Sequence, residues 1–159
     1  ALLVSGIAYD KDQARVTMHG MPDKPGVAAS LFGAISEAGI LVDMIVQNTS
    51  NDGHTDMTFT ISKKDLKKTL EVCSTVSKKY GDCDITYSTN VAKISCIGVG
   101  MRNHTGVAAR AFSALTKEGI NILMISTSEI KITILIDEKY LELAVRILHD
   151  TFGLDWDIN

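Results

Sequence analysis

The chain has little of what several protein classes require. Only 6% of its 159 residues are aromatic, with a single Trp, too few for the base-stacking strands of an RNA-binding module. Sixteen basic against 19 acidic side chains give a formal charge of -3 without a Lys/Arg-rich arm, so nothing electrostatic favours nucleic acid or an anionic membrane as partner. Apolar runs are a few residues long, far below the roughly 20 that cross a bilayer. The three cysteines, Cys73, Cys83 and Cys96, are odd in number and lack C-x-x-C spacing. That excludes a disulfide framework and a zinc knuckle and points to a reducing cytoplasm. Ala1-Leu2-Leu3-Val4 has no basic region ahead of a long apolar stretch, so it does not read as a signal peptide, and the missing initiator Met hints at a processed chain or a fragment.

What is present is enough apolar material, 45% hydrophobic with 22% charged, to bury a core in one or two small domains. It is arranged as a repeat. Shifted by 80 residues, Gly20-Met21 aligns with Gly100-Met101 and Gly26-Val27-Ala28-Ala29 with Gly106-Val107-Ala108-Ala109. Phe32, Ala34, Gly39, Ile40, Met44 and Ile45 fall on Phe112, Ala114, Gly119, Ile120, Met124 and Ile125, making 12 identities in 26 consecutive positions. Two copies are too few for a solenoid, so each is a small domain packed on its twin.

Within each copy the hydrophobic period changes from 2 to 3.6 and back. In the first, Val16 and Met18 alternate with polar residues as a strand. Pro25 then opens a helix through about Ala38, with Val27, Leu31, Ala34 and Ile35 on its apolar face and Gly39 as its stop. Ile40 to Asn48 reads as a mostly buried strand, Ser50-Asn51-Asp52-Gly53 as a hairpin turn, and Met57, Phe59 and Ile61 as the inward face of the next strand. A helix from about Lys63 to Tyr80 and a strand from Asp84 to Ser88 close the unit. The second copy reads as a strand at Lys93 to Val99, a helix at Gly106 to Glu118, strands at Ile120 to Ser126 and Lys131 to Asp137, and a helix at Lys139 to Phe152.

This βαββαβ order predicts an α+β fold of two ferredoxin-like domains, each a four-stranded antiparallel sheet with helices on one face. The second copy runs out of chain before its fourth strand, whereas Leu3 to Tyr9 is strand-like and has no place in the first copy. The economical solution lets the N-terminal strand complete the second sheet. The domains are then residues 11–90, and residues 91–159 together with strand 2–10.

The most distinctive segment, Gly20 to Ala29, holds both prolines and lies where a strand hands over to a helix. The first turn of that helix offers unpaired N–H groups and a partial positive charge, suited to a carboxylate, and Asp23 adds an acid for an ammonium group. Together these match a free α-amino acid. The competing reading makes Asp23 a helix N-cap and Pro25-Gly26 a turn. Asn103-His104-Thr105-Gly106 repeats the loop with other residues.

Catalytic signatures are missing. His19, His54, His104 and His149 lack metal spacing, and no G-x-S-x-G elbow or P-loop is present. Gly98-Val99-Gly100 is no nucleotide fingerprint, Lys63-Lys64 and Lys67-Lys68 read as the wet face of a helix, and Met44 and Met124 read as core.

Asp23-Lys24-Pro25-Gly26-Val27-Ala28, Val42-Asp43-Met44-Ile45-Val46-Gln47-Asn48 and, most specifically, Ile125-Ser126-Thr127-Ser128-Glu129-Ile130-Lys131 resemble the tandem ACT domains of aspartate kinase, from about Val4 to Asp155. The resemblance implies the cytoplasmic C-terminal regulatory half of an aspartokinase, or its regulatory beta subunit, which senses threonine and lysine and restrains aspartate phosphorylation. It implies a threonine pocket of Asp23, Gly26, Val27, Ala28, Val42, Gln47, Asn121 and Ile122, and a lysine site near Gly106, Val107, Ala108, Ser128 and Glu129. Such pockets form where two ACT domains meet, which implies a homodimer. No catalytic residue, metal or cofactor is implied here, since ATP and Mg belong to the kinase catalytic domain or alpha subunit, the expected partner. Thr105 and Leu41 depart from the family's usual Pro and Asn. The rival readings are a sensor or dimerisation module of another amino-acid biosynthetic enzyme, and a small ferredoxin-like enzyme.

Overall fold

The computed structural model describes residues 4–98 and 104–154. Their elements run β1 (Val4–Pro22), α1 (Val27–Glu37), β2 (Ile45–Thr49), β3 (His54–Ile61), a 3-10 turn (Lys63–Asp65), α2 (Leu66–Lys78), β4 (Asp84–Gly98), α3 (His104–Lys117), β5 (Met124–Thr127), β6 (Lys131–Asp137), a second 3-10 turn (Glu138–Tyr140) and α4 (Leu141–Thr151). The chain falls into two compact units, Asp12–Thr89, and Ala1–Lys11 together with Asn90–Asn159.

In the unit Asp12–Thr89 the strand order is β2-β3-β1-β4. Antiparallel register sets Val16 against Phe59 and Phe59 against Ile45. Ala14, Val16, Met18 and Phe59 are fully buried, so the period-2 pattern marks the face that α1 and α2 cover. From the helices, Val27, Leu31, Ile35, Cys73 and Val76 complete this core. Gly39, with φ 76°, ends α1: the Ile40 N–H turns back to the Ile35 carbonyl at 3.2 Å, and Lys68 Nζ donates to the Ala38 carbonyl at 2.8 Å. That lysine of the expected wet face therefore also caps a helix.

In the other unit the order is β5-β6-β4-β1. The N-terminal strand takes the fourth place, as the missing strand requires, and the Ser5 hydroxyl donates to the Ile97 carbonyl at 3.2 Å. The repeat extends into this strand. Ile7-Ala8-Tyr9 of β1 occupies in one unit the place that Ile85-Thr86-Tyr87 of β4 occupies in the other. Ile7 and Ile85 each pack on their unit's core, and Tyr9 and Tyr87 are 59% and 58% exposed.

Several boundaries differ from those read in the sequence. Residues 4–9 and 16–18 are parts of one strand, β1, and Asp84 to Ser88 continues without a break into the strand expected at Lys93, as β4; Leu3 and Val99 lie outside the described residues. Pro25 stands in the turn before α1, which starts at Val27. Ile40 to Asn48 is not a buried strand. Its regular ladder begins at Ile45 because Asp43 and Met44 together oppose Thr60: the Asp43 N–H donates to the Thr60 carbonyl at 2.9 Å, the Thr60 N–H donates to the Met44 carbonyl at 3.0 Å, and Thr60 Oγ1 accepts from the Met44 N–H at 3.0 Å. All five residues of β2 are exposed, because it is an edge strand. Likewise β5 begins at Met124, not Ile120. The helices expected from Lys63 and Lys139 open as 3-10 turns before α2 and α4.

Two thiols sit inside these cores. Burial pushes the Cys73 thiol up from 9.0 to about 12 and that of Cys96 to about 11. A raised folded-state value favours the native state fully below the unfolded value and loses that contribution as pH rises. Stability should therefore hold to about pH 9 and then fall, by up to roughly 1.4 kcal/mol per pH unit for each thiol. Urea midpoints at pH 8, 9.5 and 10.5 should show the decline in wild type, and the Cys73→Ala/Cys96→Ala double variant should flatten it; equal slopes would contradict the assignment.

Candidate functional site

Three backbone devices shape the loop between β1 and α1. The register against β3 shifts between Met18 and Met21, where Gly20 adopts φ 67° and its N–H donates to Asp56 Oδ1 at 2.8 Å. The Asp23 N–H donates to the Gly53 carbonyl at 2.9 Å, tying the loop to the β2–β3 hairpin. That hairpin is itself set by Asp52, which accepts from the Ser50 hydroxyl and from the His54 N–H. These two bonds, the hydroxyl first, hold the Asp52 carboxyl below its ordinary value.

Gly26 is the N-cap of α1, and its φ of 92° is open to glycine and strained for any other residue. No side chain caps this helix. Asp23 is thus not the N-cap, and among the described residues its exposed carboxylate has no hydrogen-bond or ion-pair partner. The Ser30 N–H donates to the Gly26 carbonyl at 2.9 Å, and the N–H groups of Ala28 and Ala29, ahead of that first helical bond, have no acceptor among the described residues.

The same loop borders a cavity of about 370 Å³ lined by Asp23, Gly26, Val27, Ala28, Gln47 and Met57, among others. Gln47 lies opposite Met57 in the β2–β3 register, which carries both to the α1 end of the sheet. A carboxylate acid, a carboxamide and free helix amides therefore converge on one small space. The sequence reading missed Met57 as a wall; its pairing with Gln47 across the hairpin was the available signal.

The structure does not bring the whole expected threonine set together. Val42 is half-buried and packs on the core, away from the cavity lining. Asn121 and Ile122 belong to the other unit, where Ile122 packs on that unit's core. Of the expected lysine set, Gly106, Val107 and Ala108 lie in the opening turns of α3, with Val107 buried. Ser128 and Glu129 form the exposed β5–β6 turn, in which the Ser128 N–H donates to the Lys131 carbonyl at 2.8 Å. Asn103, the His104 side chain, Gly100 and Trp156 lie outside what is described.

The remaining histidines of the first unit are engaged locally. His19 Nε2 is 2.8 Å from Thr86 Oγ1 and Nδ1 is 3.5 Å from Asp56 Oδ2, while His54 Nδ1 is 3.4 Å from Asp52. Among the described residues no group of three or more His, Cys, Asp or Glu is placed to hold a metal, and no helix is long and apolar enough to cross a membrane.

Comparison with known proteins gives this geometry a context. A family profile for the ACT domain matches residues 16–76 and 94–152. An aspartate kinase of Stutzerimonas stutzeri is 53% identical over 153 residues, covering 96% of this chain and 37% of its own length. The chain thus spans little more than a third of the curated relatives it matches. Among solved structures, a chain from an aspartokinase alpha and beta subunit structure is 54% identical with a TM-score of 0.89, over 95% of this chain and 99% of that one. The regulatory subunit of aspartate kinase from Thermus thermophilus, in its ligand-free form, is 37% identical with a TM-score of 0.90 over the same shares.

Proposed function

The chain belongs to the ACT-domain family, as the regulatory ACT region of an aspartokinase, and on that premise we propose that it senses free threonine in the cavity beside α1 and restrains aspartate phosphorylation by its kinase partner. The observation that carries this reading is the pairing, on one 370 Å³ cavity, of the Asp23 carboxylate with the Ala28 amide, both without a partner among the described residues. The amides take the α-carboxylate, Asp23 takes the α-ammonium, and Gln47 takes the side-chain hydroxyl. Lysine is the second proposed effector, at Gly106 to Ala108 and Ser128-Glu129.

The exposed β2, with Ile45 55% and Val46 37% accessible, is an unprotected apolar edge. A second copy of the chain covers it and, because Gln47 stands on the same strand, completes the cavity wall. The bound amino acid favours the closed dimer, and by linkage the attached catalytic domain shifts toward its less active state. The kinase domain or alpha subunit binds ATP and Mg and carries out catalysis in the cytoplasm.

Isothermal titration tests this reading. Threonine should bind saturably, and Asp23→Ala should weaken it by about tenfold or more, the loss of one charged hydrogen bond. The melting temperature of the ligand-free variant should stay unchanged, since the Asp23 side chain has no bonding partner among the described residues. Unaltered affinity in Asp23→Ala would remove Asp23 from the site, and no heat with threonine or lysine would return the loop to a plain turn.

A further inference from the structure

A cavity of about 690 Å³ is lined wholly by residues of the unit formed by Ala1–Lys11 and Asn90–Asn159, and none of them lines the cavity beside α1. One wall is β1. Ile7, Tyr9 and Lys11 stand two residues apart and so point to one side of the strand; Ile7 packs on the core, while exposed Tyr9 and Lys11 carry the row into the cavity. The other wall is α4, which contributes buried Leu141 and Val145 and, beside them, exposed Glu142, Arg146 and Asp150. The result is an apolar floor, made by the Tyr9 ring, Leu141 and Val145, under a charged rim, at a volume suited to a small organic molecule.

The rim selects the charge of that molecule. It holds two cations, Lys11 and Arg146, and two acids, Glu142 and Asp150, and among the described residues none of these four side chains makes an ion pair or hydrogen bond. Glu142, Arg146 and Asp150 follow at i, i+4, i+8, so Arg146 has an acid about 6 Å along the helix axis to either side. A polyanion such as a nucleoside triphosphate meets as many like charges here as opposite ones, and so does a polyamine. A molecule with one charge of each sign meets only complementary groups. The floor selects its body, because the exposed Tyr9 ring offers a partner for a second ring and the two aliphatic side chains extend that apolar surface.

We propose that this cavity is a further small-molecule site and that its ligand is an aromatic α-amino acid. The planar fork of Arg146 takes the carboxylate, with Lys11 as an additional cation on the same space. The carboxylates of Glu142 and Asp150 hold the ammonium, and the ligand ring lies on Tyr9 against Leu141 and Val145.

Equilibrium dialysis of the full chain against radiolabelled L-phenylalanine tests this. The label should be retained saturably, and unlabelled phenylalanine should displace it. Phenylacetate lacks the ammonium, phenethylamine the carboxylate and alanine the ring, so each should need at least about tenfold higher concentration to do the same. Arg146→Gln and the Glu142→Gln/Asp150→Asn double variant alter exposed side chains only; they should keep the wild-type circular dichroism and each weaken phenylalanine by at least about tenfold. Asp23→Ala should leave phenylalanine binding unchanged, and this variant separates the two cavities whether or not threonine binds beside α1. No retained label, an affinity unmoved in Arg146→Gln, displacement by any of the three fragments as readily as by phenylalanine, or loss of the label in Asp23→Ala would overturn the proposal.

Discussion

Replacing Phe59 by Ala should cost about 3–5 kcal/mol, the largest single-residue loss of stability expected in the unit Asp12–Thr89. Phe59 is fully buried on β3, facing Val16 of β1 on one side and Ile45 of β2 on the other. Its ring meets that of Phe32 on α1 edge to face, with centroids 5.5 Å apart and planes at 77°. Few other side chains join two strands and a helix in this way, so truncation leaves a void that no single neighbour can close. A folded chain is stable by about 5–15 kcal/mol, so this one truncation removes a large fraction of the whole margin. Thermal unfolding should shift down by roughly 6–20 °C, taking about 2–4 °C per kcal/mol for a chain of this size. Phe59→Leu keeps most of the volume and should cost less than about 1.5 kcal/mol. A Phe59→Ala loss within about 1 kcal/mol of wild type would mean that the core around it relaxes freely.

The alternation that identified Phe59 also made most of the fold legible. Val16, Met18, Met57, Phe59 and Ile61 were readable as one face because each strand of an antiparallel sheet with one covered face records its orientation every second residue. The duplication then transferred that reading from one copy to the other, and the absent fourth strand of the second copy pointed to the N-terminus. Edges were harder. Ile40 to Asn48 is rich in apolar residues, yet Leu41 is 85% exposed and Ile45 55% exposed. Composition reports how apolar a segment is and not what covers it, and an edge strand is where the two part. The continuity of β1 and β4 was equally hidden. Nothing in the polar residues Asp10-Lys11-Asp12 distinguishes a strand passing from one unit to the next from a loop.

For the candidate site, the strand-to-helix loop was legible because Pro25 and Gly26 have a backbone meaning: Gly26 holds the left-handed φ at which α1 begins. The sequence left Asp23 between cap and ligand group, and the structure removes the cap, since α1 is capped by no side chain. Gln47 joins Asp23 only through the β2–β3 register, a tertiary fact that a helix-and-strand reading holds implicitly.

Dividing the chain between Thr89 and Asn90 should give two fragments of opposite character. Residues 1–89 contain all four strands and both helices of the unit Asp12–Thr89 and should unfold cooperatively on their own. The fragment 90–159 should not, although it carries its whole copy of the repeat, because its fourth strand, Val4–Lys11, is on the other piece. Without that strand the β4 edge from Asn90 to Gly98 is stripped of its ladder, and the core loses buried Val4 and half-buried Ile7. Two such aliphatic side chains contribute about 1.5–3 kcal/mol each when fully buried, while a single core in a domain of this size supplies rarely more than about 3–5 kcal/mol. The missing strand therefore accounts for a share comparable to the entire margin. Fusing the sequence of residues 1–11 behind Asn159 through a flexible Gly/Ser linker should restore a sharp unfolding transition, since the closure entropy of such a linker grows only slowly with its length. Circular dichroism melts of the three proteins decide the matter. A cooperative melt of the unfused fragment at the fused protein's temperature would show that the N-terminal strand adds nothing to that core.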